Sequence, residues 1–174
     1  MLTAWEKIKQ EPFKTGYRKV IRKTFEMPDG KTADFDIKDE GPVVCVFALT
    51  PENNVLLVKQ YRPGPEQIML ELPGGGIESN ETPAQAAARE LLEETGFAGD
   101  LKAVGTSLEC AYSNMNRFNF VATDCRKIQD QKLDATEFAE VVEMSLPDFR
   151  RHLQSGQLTD IEVGYLCLDF LGLL

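Results

Sequence analysis

Basic charge is scarce in this chain: 19 lysines and arginines stand against 28 aspartates and glutamates, for a net charge of −9 and a pI near 4.7. Such a surface repels phosphate backbones and anionic lipid, which excludes nucleic acid and membranes as general partners. No apolar run approaches the roughly 18 to 20 residues that a spanning helix needs. The opening MLTAWEKIKQ lacks the apolar stretch and small-residue cleavage site of a signal peptide, so a cytoplasmic protein is expected. Cysteine pairs are missing too: Cys45, Cys110, Cys125 and Cys167 form no CxxC and no metal-type spacing. Three of them (45, 125 and 167) sit beside Val, Thr or Leu, as small core residues do, so free buried thiols in a reducing compartment are expected. The one histidine, His152, follows two arginines and reads as a surface residue. Repeats and low-complexity segments are absent.

What is present fits one domain, or one domain with a small appendage: 174 residues, 43% of them hydrophobic, can bury a core. From Tyr17 to Ile37 the chain reads as short strands turning at Pro28-Asp29-Gly30. A piece that small cannot bury its own face, so it must pack on the rest of the chain or on a second copy. Gly41-Pro42 marks the boundary, giving a β-rich segment over 1–40 and a main domain over 41–174. Strands are expected at Val43–Leu49, Val55–Gln60, Leu101–Cys110, Arg117–Thr123 and Phe138–Met144, and Met69–Leu72 leads into Pro73-Gly74-Gly75-Gly76, read as irregular. Thr82 as N-cap, Pro83 in the first turn and Gly96 as terminator bound one helix. Two more are expected at Asp148–Ser155 and Ile161–Leu174. Interleaved strands and helices predict an α/β sandwich with a mixed sheet between helical layers.

The chemistry concentrates between Gly75 and Phe97. The capped helix carries Arg89, Glu90, Glu93 and Glu94, and positions i, i+3 and i+4 share one face. Crowded carboxylates destabilise a bare helix by a few tenths of a kcal/mol per pair, so a cation is expected to offset them; taken alone, a solvated salt-bridge face would explain them as well. Hard oxygen donors suit Mg²⁺ or Mn²⁺. The order of residues decides between the two. Gly75, then Glu81, then Arg89-Glu90-Leu91-Leu92-Glu93-Glu94-Thr95-Gly96-Phe97 resembles the Nudix box at every defining position, nine positions over 23 residues. The resemblance implies an α/β/α sandwich whose loop–helix–loop binds divalent metal. Carried over, Glu90 and Glu94 are the principal ligands, Glu93 contributes directly or through water, and the Gly74 carbonyl is a further ligand. Arg89 holds the carboxylates, and Glu81 braces the loop.

Lys59-Gln60-Tyr61-Arg62-Pro63, followed by Leu70-Glu71-Leu72-Pro73-Gly74-Gly75, looks like the branch that hydrolyses ADP-ribose and nucleoside diphosphate sugars to NMP and a sugar phosphate. That likeness places Arg62 on phosphate and Glu71 at the substrate. It also implies a homodimer whose strand-rich N-terminal piece is exchanged between subunits and lines the pocket, with Trp5 either stacking on a base or packing on the partner. One departure stands out. The branch usually carries a proline about fifteen residues past the box, where this chain reads Ala111-Tyr112-Ser113-Asn114. A tyrosine there resembles the dinucleoside polyphosphate hydrolases, the alternative reading, and Tyr112 either stacks on a base or packs. A non-catalytic sensor is disfavoured, because every box glutamate is kept and there is no length for a DNA-binding addition. For the catalytic base, Glu137 at a loop-to-strand junction is preferred over Asp134 and Glu140, while the position matching the family's usual base is Ala135.

Overall fold

The computed structural model describes residues 6–14, 18–133 and 137–174. Trp5, Asp134 and Ala135 therefore lie outside the described residues. The chain divides into two compact units, one holding the residues up to Pro42 together with Leu108–Asn116, the other Val43–Ser107 with Arg117–Leu174.

The first unit is a three-stranded antiparallel sheet in the order β1 (Glu6–Lys14), β2 (Val20–Glu26), β3 (Thr32–Lys38). Period-two alternation sorts its faces. Arg22 pairs with Asp36 directly opposite, at 2.8 and 3.1 Å, and Thr24 donates to Asp34 at 2.7 Å. Ile21, Phe25, Phe35 and Ile37 take the other face, and Phe25 meets Phe35 edge-on at 5.9 Å. The expected turn is present: the Gly30 amide donates to the Met27 carbonyl, with Gly30 at φ 79°. Strand β1 was not foreseen, because EKIKQEPFK has no clean alternation. The Leu108–Asn116 segment joins this unit through Lys38, whose amide donates to the Tyr112 carbonyl and whose carbonyl accepts from the Asn114 amide.

The second unit contains β4 (Val43–Leu49), β5 (Asn54–Arg62), β6 (Gln67–Glu71), β7 (Gly74–Gly76), β8 (Phe97–Leu108), β9 (Asn116–Lys127) and β10 (Ala139–Ser145). They form a mixed sheet in the order β10–β5–β4–β9–β8, with the short strands β6 and β7 pairing β5 and β4. β4 and β9 run parallel, whereas β5 is antiparallel to β4, β6 and β10. The run VVCVFAL is apolar throughout because β4 is covered on both faces. Cys45, Phe47 and Leu49 meet Phe149, Leu153, Val163 and Leu168 on one side. Val44, Val46 and Ala48 meet Ala86, Ala87 and Leu91 on the other. Helix α1 (Pro83–Thr95) thus covers one face, and α2 (Leu146–Ser155) and α3 (Ile161–Phe170) the opposite one, which is the expected α/β/α sandwich.

Two expectations need correction. Gly74–Gly76 is strand rather than irregular loop, paired to Val43–Cys45 of β4. A Cβ at Gly74 would fall 2.3 Å from the Val44 carbonyl oxygen, so glycine is what lets this backbone lie so close. The last helix stops at Phe170, and its continuation closes on itself through the Gly172 and Leu173 amides. Among the described residues no helix is long and apolar enough to cross a membrane.

Candidate active site

Helix α1 starts where its sequence says it should. Thr82 accepts from the Gln85 amide at 3.3 Å while the Gln85 side chain accepts from the Thr82 amide at 2.8 Å, a reciprocal capping box. Gly96 ends the helix at φ 77°, and a Cβ there would also strike the Gln129 carbonyl at 2.3 Å. The segment after β9 completes that end. Gln131 donates to the Glu94 carbonyl at 2.6 Å and the Lys132 amide to the Glu93 carbonyl at 2.8 Å, filling acceptors the helix leaves open. Nothing in the sequence singles out Gln131, because an exposed-looking glutamine between charged residues carries no signal of its own.

Arg89 gathers the acidic groups. Its guanidinium donates to Glu81 at 2.6 and 3.2 Å, to Glu90 at 2.9 Å, to Glu93 at 3.1 Å and to the Gly76 carbonyl at 2.9 Å. That pairing raises the guanidinium's proton affinity further and holds the Glu81 carboxyl below its usual range. Glu81 in turn accepts from the Glu78 amide at 2.8 Å, which ties Arg89 to the loop before the helix. Glu94 accepts from the Gly74 amide at 2.8 Å, joining the helix to β7. A Cβ on Gly75 would lie 2.4 Å from a Glu90 carboxylate oxygen, so this glycine is the space in which Glu90 sits.

These carboxylates are not an ordinary solvated face. Glu94 is 9% exposed, and burial pushes its carboxyl up to about 8; Glu90 and Glu137 push it the same way, against the Gly74 amide and Arg62. Burial also raises Glu90, against the pull of Arg89, with Glu93 and Glu137 adding to the rise. A crowd of partly desolvated carboxylates is a site short of positive charge. Among the described residues no three acidic, histidine or cysteine side chains close into a full cage. The set comprises hard carboxylate oxygens beside a glycine backbone, which suits a cation that keeps water and binds phosphate as well.

The other expected residues fall into separate places. Arg62 is 43% exposed, lies within electrostatic reach of Glu94, and donates through Nε to Glu71. Glu71, at 1% exposure, is interior, held by Arg62, by Gln60 at 3.3 Å and by the Thr159 hydroxyl. Glu137 is exposed and its charge is felt by both Glu90 and Glu94. Glu140 is paired across strands to Lys59 at 2.9 Å, well exposed. Tyr112 belongs to the first unit, 58% exposed and stacked on Phe35 at 6.4 Å, beside a cleft of about 370 Å³ lined with Phe25, Ile37 and Ala111. His152 is half-buried, with Nε2 2.9 Å from the Leu70 carbonyl, so it is a packing residue rather than a surface one. The four cysteines are free, three buried and Cys110 exposed.

The sequence matches the NUDIX domain over residues 39–161. The chain belongs to the Nudix hydrolase family. Within it, the ADP-ribose pyrophosphatase of Bacillus subtilis (strain 168) is 31% identical over 143 residues, 80% of this chain and 77% of that one. The methanol dehydrogenase activator of Bacillus methanolicus is 30% identical over 151 residues, 83% and 82% of the two chains. The ADP-sugar pyrophosphatase of Mus musculus is 37% identical over 94 residues, 48% and 43%. A solved structure described as an ADP compounds hydrolase superposes with a TM-score of 0.80 at 20% identity, covering 100% of this chain and 99% of the other, which shows the Nudix fold. This Nudix enzyme is of the pyrophosphatase class, and of its box residues Gly75 lies on strand β7 and Arg89, Glu90, Glu93 and Glu94 on helix α1.

Proposed function

We propose that this Nudix enzyme hydrolyses the diphosphate of ADP-ribose or a related nucleoside diphosphate sugar, releasing NMP and a sugar phosphate. The observation that carries the reading is the carboxylate pair of half-buried Glu90 and buried Glu94, held by Arg89 and the Gly74 backbone respectively. Relatives bearing the names ADP-ribose pyrophosphatase and ADP-sugar pyrophosphatase support the substrate class. Glu90, Glu94 and the Gly74 carbonyl would hold Mg²⁺ or Mn²⁺, with Glu93 assisting. A bound divalent ion supplies charge neutralisation at the diphosphate and a more acidic water.

The protein's own groups do the rest. Arg89 keeps Glu90 and Glu93 in register, and Glu81 keeps Arg89 there. Arg62 offers its terminal guanidinium nitrogens, which donate to nothing among the described residues, to a phosphate oxygen. Glu137 takes the proton from the attacking water. The N-terminal strands make the protein a homodimer, and free thiols at all four cysteines fit a reducing cytoplasm. The deciding experiment separates the products of ADP-ribose, a panel of nucleotide sugars and dinucleoside polyphosphates, each with Mg²⁺. NMP plus sugar phosphate from the first two supports the reading. Preferential cleavage of dinucleoside polyphosphates overturns it in favour of the alternative that Tyr112 raised.

A further inference from the structure

Behind Arg62 lies a carboxylate with no route to solvent. Glu71 is 1% exposed, and a buried charge is tolerated only where its oxygens are satisfied. Oε2 receives Arg62 Nε and, at 3.3 Å, Gln60 Nε2, while Oε1 receives the hydroxyl of Thr159. Thr159 comes from the far side of the chain, in the turn that enters α3, 88 residues from its partner.

We propose that Thr159 is a positioning residue for Arg62, acting through Glu71, and that it sets how well the site grips the diphosphate; the proposal rests on the phosphate role given to Arg62 above.

The geometry runs as a chain of fixed planes. With only Oε2 held, the carboxylate can turn about its last bond, and the Nε–H it accepts turns with it. A second hold on Oε1 fixes the carboxylate plane. Because guanidinium is planar, fixing the direction of Nε–H fixes where the two terminal nitrogens point. Those nitrogens are the ones that donate to nothing among the described residues. Thr159 can perform this service because it is itself pinned. The next residue, Asp160, pairs with Arg117 at 3.1 Å, both side chains nearly buried. The helix that follows packs Val163, Cys167 and Leu168 into the core without exposure. The Thr159 hydroxyl has a second acceptor in Asp160 at 3.3 Å, but its one proton is better spent on the closer Glu71.

A purely structural threonine would cost stability alone, so the test is a cycle with Arg62. Steady-state rates on ADP-ribose at fixed Mg²⁺ are compared for wild type, Thr159→Val, Thr159→Ser, Arg62→Ala and the Arg62→Ala/Thr159→Val double variant. Loss of one orienting hydrogen bond to a charged group is expected to raise KM about tenfold with kcat within about threefold. Serine, which keeps the hydroxyl, should return KM to within about twofold of wild type. In the Arg62→Ala background the valine should change kcat/KM by less than about twofold, because nothing remains to be positioned. If Thr159→Val does not fold, Thr159→Ala enters the same cycle. Equal losses with and without Arg62, or an unchanged kcat/KM in the single variant, overturn the proposal while the reading of function stands. A wild-type protein inert on every nucleoside diphosphate substrate overturns that reading, and this proposal with it.

Discussion

At the scale of single residues, burial and charge make different demands on Glu94 and Glu137, and two expectations follow. Glu94 is pushed up to about 8 by desolvation, so near neutral pH and without a cation its carboxyl is largely protonated. Glutamine imitates that form in shape and charge. Glu94→Gln is therefore expected to leave the unfolding free energy of the chelator-treated protein within about 0.5 kcal/mol of wild type. Turnover should fall by several kcal/mol in transition-state terms even at saturating Mg²⁺, if Glu94 is the metal ligand proposed above. Wild-type turnover in that variant removes Glu94 from the metal site. Glu137 is exposed, and both Glu90 and Glu94 feel its charge. Its glutamine variant is expected to lose about 10² to 10⁴ in kcat with KM and metal affinity nearly unchanged. If more than about a tenth of kcat survives, the base is elsewhere. Glu140, tied to Lys59 across the sheet, then remains the weaker candidate, and Asp134 is next in line.

Among the elements, α1 follows rules that a short window of sequence contains: a capping box, proline in the first turn, glycine in the left-handed conformation after the last. The start of α3 follows none of them. Its N-cap, Asp160, makes no capping hydrogen bond; it pairs instead with Arg117 of β9, which also donates to Glu162. Burial raises the Asp160 carboxyl to about 6, against the pull of Arg117, from an ordinary 3.8. The sign follows directly. Above pH 6 the folded protein bears the penalty of a buried charge, and between 6 and 3.8 it binds a proton that the unfolded chain does not. This group alone therefore makes the fold more stable as pH falls through that window, by up to about 3 kcal/mol. Chemical denaturation of wild type and Asp160→Asn at pH 7 and pH 4.5 measures it: wild type should gain relative to the variant at the lower pH. An equal difference at both values shows that Asp160 does not titrate in that range.

For the whole molecule, the first unit is a thin sheet with one apolar face, Ile21, Phe25, Phe35 and Ile37, and exposed apolar side chains at Ile8 and Tyr112. Three strands with one polar face bury little on their own. Full-length protein is accordingly expected to run as a dimer by light scattering at micromolar concentration, and a monomer there rejects the exchange of N-terminal strands. Removing residues 1–40 should leave either insoluble protein or a monomer with badly weakened substrate binding.

Residue spacing along the chain was enough to identify the family, the capped acidic helix and the sandwich, because a capped helix with glutamates at i, i+3 and i+4 is local geometry and local geometry is written in adjacent residues. Continuous apolar runs were likewise enough for β4 and β5, whose pattern is set by cover on both faces. Three features depended on segments far apart in sequence. The glycine run is a strand because it pairs with Val43–Cys45 of β4, whose backbone comes within 2.3 Å of where a Gly74 Cβ would be. Glu71 is a buried anchor for Arg62, and Thr159 meets it from 88 residues away. The Leu108–Asn116 segment joined the N-terminal sheet through Lys38, and no periodicity announces a partner that distant. What a side chain does here was legible when its neighbours in sequence were also its neighbours in space. Where burial and hydrogen bonding came from remote strands, only the folded chain decided it.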